Sequence, residues 1–99
     1  MKNQLSLEEK FAAAWLAKRE QAQKQGIRLR PMAAEDALKQ AHRALSGNRA
    51  SDGFVALAEK GRLDLSLEAL AVDKGFTSLF TDAEADMALI RLLDAGYRF

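Results

Sequence analysis

The sequence predicts an all-α protein, a compact bundle of four to five short helices in a single domain over residues 1–99, with its ordered core at about 6–96. Three observations predict it. Helix-capping signatures recur ahead of apolar runs, glycines follow those runs, and the apolar residues repeat at the 3.6-residue period of an amphipathic helix. Ninety-nine residues, 48% apolar and 29% charged, suffice for one core and are too few for two domains of ordinary size.

Ser6 and Glu9 make an S-x-x-E capping box, in which the hydroxyl accepts from an orphan amide and the carboxylate reaches back to the cap. Gly26 supplies the left-handed stop, so the first helix runs from about Leu7 to about Gln25. Leu7, Phe11, Ala14, Trp15 and Ala22 gather on one side of it. Lys18 falls within that stripe, its stem lying along apolar surface while the ammonium reaches water, and Leu16 points the other way. The connector Ile27-Arg28-Leu29-Arg30-Pro31 alternates apolar and basic residues and predicts an extended link ending at a helix start; a short strand there would have no mate.

The second helix is predicted from roughly Met32 or Ala33 to Leu45, with Ala34, Ala37, Leu38, Ala41 and Leu45 on one side and Ser46-Gly47-Asn48 ending it. Ser51 and Asp52 are candidate caps for a shorter third helix carrying Phe54, Val55, Leu57 and Ala58, stopped by Gly61. Leu63-Asp64-Leu65-Ser66-Leu67 alternates like a strand, but Glu68-Ala69-Leu70-Ala71 is strongly helix-forming, so Ser66 reads as the cap of a short fourth helix to about Val72. A turn at Asp73-Lys74-Gly75 and an apolar hinge at Phe76, Leu79 and Phe80 follow. Thr81 and Glu84 repeat the capping box, and Gly96 stops a last helix spanning about Asp82 to Ala95.

Several function classes lack the residues they need. The chain has no cysteine, which removes disulfides, thiolate zinc sites and a cysteine nucleophile, and predicts a cytoplasmic protein. The N-terminal stretch turns acidic at Glu8-Glu9 before any long apolar run, unlike a secretory signal, and no run approaches a membrane span. His42, the sole histidine, has Leu38, Lys39, Arg43 and Leu45 as neighbours on its helix and reads as a surface or half-buried structural residue. Asp82, Glu84 and Asp86 suit the first turn of a helix, where carboxylates face the positive end of the macrodipole; with Asp94 they surround the axis and share no common centre. No calcium loop, phosphate-binding glycine loop or G-x-S-x-G elbow occurs, so no catalytic residue, metal, cofactor or small-molecule substrate is expected.

Two patterns point to macromolecular partners. The first is surplus apolar surface. In the last helix Ala85, Ala88, Leu89, Leu92 and Leu93 already make a wide stripe, and Met87 and Ile90 fall outside it. With Leu16 and the tail Tyr97-Arg98-Phe99, these residues predict a docking surface for a protein partner or a second copy, and a homodimer is expected. The competing reading places the last helix centrally, flanked on both sides by its own chain.

The second pattern is charge. Residues 1–50 hold ten Lys/Arg and five Asp/Glu, for +5, whereas residues 51–99 hold five and nine, for −4. Lys18, Arg19, Lys24, Arg28 and Arg30 are the candidate patch for nucleic-acid phosphate. A solvated helix end is the plainer reading, because Lys18 and Arg19 lie about 100° apart around the helix and no aromatic alternates with the charges. A helix-turn-helix is disfavoured, since the would-be recognition helix offers Asp52 and Glu59 against Lys60. Membrane-surface binding by the first helix is disfavoured too, because its polar face mixes Glu8, Glu9, Glu20 and glutamines.

In style the chain is similar to small accessory proteins of bacteria and their mobile elements, a likeness that carries no motif. The expectation is therefore a non-enzymatic interaction or regulatory module, with nucleic-acid binding through the basic half as the alternative. Mutual attraction of the two oppositely charged halves, within one chain or head to tail between copies, is a third reading.

Overall fold

The computed structural model describes residues 6–47 and 50–97, and among them it is all-α, with five α-helices and three single turns of 3₁₀ helix. Helix α1 covers Leu7–Lys24, α2 Ala37–Ser46, α3 Phe54–Glu59, α4 Leu67–Ala71 and α5 Asp82–Asp94. Both predicted capping boxes form. Ser6 Oγ accepts from the Glu9 amide at 3.1 Å while Glu9 Oε1 accepts from the Ser6 amide at 2.9 Å, and Thr81 and Glu84 repeat the exchange at the same distances. Ser66 caps α4 as expected, accepting from the Ala69 amide. Gly26, Gly61 and Gly96 take the positive φ that their role as helix stops requires.

The third helix starts differently from the expectation. Its N-cap is Gly53, at φ 79°, and no side chain caps it. A Cβ at Gly53 would stand 2.6 Å from Leu29 Cδ2, so the connector packs directly over this glycine. Ser51 and Asp52 are drawn elsewhere, to Glu68 and to the Arg30 amide. The second helix also starts later than predicted. Met32 and Ala33 remain outside any helix, a 3₁₀ turn spans Ala34–Asp36, and Ala34 is exposed.

Two apolar clusters share the same long helices. Phe11, Ala12, Trp15, Ala37, Ala41, Leu45, Leu67, Leu70, Ala71, Phe80 and Ala88 form the first, and the Phe11 ring meets Phe76 and Phe80 edge-on at centroid distances of 5.6 and 5.4 Å. Ala22, Ile27, Phe54, Leu57, Leu63, Leu65 and Leu92 form the second. Thus α1 and α5 each contribute to both clusters and tie them into one body. Lys18 lies along this surface, but its ammonium donates to the Asp64 carbonyl at 2.9 Å, so it ends on backbone where the sequence suggested water.

Polar side chains also enter the interior. Glu68 is fully buried and accepts from the Ser51 amide at 2.9 Å, from Ser51 Oγ at 2.6 Å and from Arg91 at 3.1 Å. The second arm of the Arg91 guanidinium donates to the Gly47 carbonyl at 2.9 Å. One ion pair therefore joins α4, α5 and both ends of the segment between α2 and α3.

Candidate functional site

Helix α5 packs on α2 and α4, and its inward residues are Glu84, Ala88 and Leu92. At 100° per residue, the opposite side of such a helix carries Asp82, Ala83, Asp86, Ile90, Leu93 and Asp94, with Leu89 at its edge. The exposures agree, because Leu89, Ile90 and Leu93 are 37%, 52% and 55% exposed. Leu89 and Leu93, expected in the core stripe, thus stand outside with Ile90. The inner side instead accepts Glu84 and Arg91, each satisfied by a partner from another helix. Among the described residues, α5 is covered on one side only. Its exposed charged residues are all acidic: Asp82, Asp86 and Asp94.

The other residues predicted for a partner surface are not exposed in the same way. Leu16 and Met87 are half-buried, Tyr97 is half-buried against the second cluster, and Phe99 lies outside the described residues. Leu16 sits on α1, whose principal partner among the helices is α2, so it does not extend the α5 ridge through a direct helix pairing.

The five basic residues are divided. Lys18 is bound to Asp64, and Lys24 makes an exposed pair with Glu20 at 3.9 Å, while Arg28 is exposed. Arg19 donates to the Arg30 carbonyl and lies over the Trp15 ring at 5.6 Å; burial lowers its pKa, opposed by the charge of Asp52. Arg19 and Arg30 meet a residue that sequence reasoning passed over, Arg43 of α2, around a groove of about 750 Å³. The groove runs between α1, the connector, α2 and the loop leading to α3, and its signal in the sequence is only the recurrence of arginine at Arg19, Arg30 and Arg43.

His42 gains an acidic neighbour from across the fold. Its Nδ1 lies 2.7 Å from Glu84 Oε2, and its ring packs on Phe80 at 5.4 Å. Burial raises the Glu84 pKa, but the Thr81 amide and His42 outweigh it and hold the carboxyl below its ordinary value. Ser46 Oγ donates to the His42 carbonyl, so this hydroxyl is not aligned with the imidazole as a nucleophile would be. Among the described residues no group of three His, Cys, Asp or Glu side chains is arranged to hold a metal, and no helix is long and apolar enough to cross a membrane.

Comparison with protein-family models, with curated proteins and with solved structures finds no match to this chain.

Proposed function

We propose that this chain is a non-enzymatic interaction module, an accessory or regulatory protein, that docks a protein partner through the outer side of α5. One observation carries the reading: Leu89, Ile90 and Leu93 lie together, 37%, 52% and 55% exposed, on the side of α5 away from its core residues Ala88 and Leu92. The surrounding aspartates state what the partner should bring, which is apolar side chains set among Lys and Arg. Two copies of this chain paired along α5 about a twofold axis would place both sets of aspartates together. That favours a different protein over the homodimer expected from sequence.

Phosphate binding by the basic half has in its favour the exposure of Lys24, Arg28 and Arg30, but Lys18 and Arg19 are turned onto backbone carbonyls. Absence of cysteine is in keeping with a cytoplasmic setting.

The test places a photo-crosslinking residue at Ile90, and at exposed Gln23 as the control, in the native host. A protein captured from Ile90 alone, whose purified form binds wild type and loses at least about tenfold in affinity against I90S/L93S, is the expected result. Equal capture from both positions, or affinity unchanged in I90S/L93S, refutes it.

A further inference from the structure

A second surface, independent of α5, has its own chemistry. We infer that the groove between α1, the connector and α2 takes an extended peptide segment in which a carboxylate side chain lies beside an apolar one. Its size, about 750 Å³, is that of a ligand cleft, and Pro31, Met32, Ala44 and Ala50 give it apolar lining. Among the described residues, three guanidiniums border it. Those of Arg30 and Arg43 make no ion pair or hydrogen bond among the described residues, whereas Arg19 is fixed in place between Trp15 and the Arg30 carbonyl. A planar guanidinium matches a carboxylate with two parallel hydrogen bonds, and one that is already immobilised loses little freedom when it binds.

The backbone points to an extended ligand. Residues 27–33 belong to no helix, Ala33 is extended at φ −84° and ψ 148°, and the Met32 and Ala33 amides donate no hydrogen bond among the described residues. Successive amides of an extended chain point to opposite sides, so one of these two can donate to a strand-like peptide lying along the segment. Two features set a peptide carboxylate above a nucleic-acid backbone. Trp15 is 6% exposed and lies beneath Arg19, leaving little ring for a base to stack on. Asp36 and Asp52 also line the groove, and they tolerate a single carboxylate between the arginines better than a run of phosphates.

Trp15 is the only tryptophan in the chain, so its emission reports on the groove without a label. The full chain is titrated with the capped peptide Ser-Asp-Leu-Glu-Leu-Asp-Gly, with the same peptide bearing lysine at each acidic position, and with a ten-residue thymidine oligonucleotide. Amide chemical shifts of residues 32–33 and 50–52 are followed in parallel. The acidic peptide is expected to give a saturable, salt-sensitive response that weakens at least about tenfold in R30A/R43A and is unchanged in I90S/L93S. Both arginines are exposed, so their replacement leaves the fold intact. Equal response to the lysine peptide, tighter binding of the oligonucleotide, full affinity in R30A/R43A, or no response in either readout up to millimolar peptide overturns the inference.

Discussion

Replacing Arg91 by Met tests whether the interior is organised around one ion pair. Glu68 has 0% of its side chain exposed and Arg91 9%, so both charges are desolvated. Their mutual attraction, the two Ser51 donors and the Gly47 acceptor offset that penalty together. Arg91→Met leaves the carboxylate without its countercharge and the Gly47 carbonyl without this donor. A loss of about 3–5 kcal/mol is expected for breaking such a pair from one side. Domains of this size have a total stability of about 5–15 kcal/mol, and each kcal/mol moves Tm by about 4–8 °C, so Tm should fall by at least about 12 °C. Urea titration followed by circular dichroism and by Trp15 emission measures it. The double variant E68Q/R91M, in which no unpaired charge remains inside, should be more stable than R91M alone, giving a coupling of about 2 kcal/mol or more. If R91M loses less than about 1 kcal/mol, or if the two substitutions add without coupling, the pair does not organise the interior. Because Gly47 and Ser51 border the groove, R91M should also weaken acidic-peptide binding without altering a groove side chain.

Two further outcomes follow from the same geometry. Leu92→Ala should destabilise the fold by about 2–5 kcal/mol, since Leu92 is fully buried, whereas Leu93→Ala, at a site 55% exposed, should cost no more than about 1 kcal/mol; chemical denaturation of both variants checks which side of α5 faces the core. Because the Glu84 carboxyl is held below its ordinary value, its charge stabilises the fold above the unfolded carboxylate range near about pH 4.3 and ceases to do so as pH falls through the folded value. The stability difference between wild type and E84Q should therefore shrink as pH falls below about 4, as measured by urea titration at each pH.

What the sequence revealed and what it hid divide by distance along the chain. Capping is a matter of three residues, so Ser6 with Glu9, Thr81 with Glu84 and the stops at Gly26, Gly61 and Gly96 were legible. Ser51 and Asp52 carried the same local signature and misled, because Glu68 and the Arg30 amide, 17 and 22 residues away, recruit them. The α5 stripe was misplaced for a related reason. Periodicity assigns the interior to apolar residues, yet Glu84 and Arg91 face inward because His42, Glu68 and Gly47, each at least 23 residues away, receive them. The groove is hidden in the sequence because its walls are four separate stretches of chain, and of the five candidate anion ligands only Arg19 and Arg30 line it.

The partial exposure of Leu89, Ile90 and Leu93 bounds how tightly the proposed partner would bind. A fully buried Leu or Ile is worth about 1.5–3 kcal/mol, and Leu89, Ile90 and Leu93 are on average about half exposed, so covering all three yields on the order of 2–5 kcal/mol. Association itself opposes binding by at least a comparable amount. Apolar contact on this ridge alone therefore does not sustain a stable complex, and the remainder has to come from charge or from a wider footprint. Asp82, Asp86 and Asp94 supply the charge, in solvent, where each pair is weak and screened by salt. On the proposed reading, such a ridge would select its partner by sign and release it readily, as an accessory protein does more than a permanent subunit.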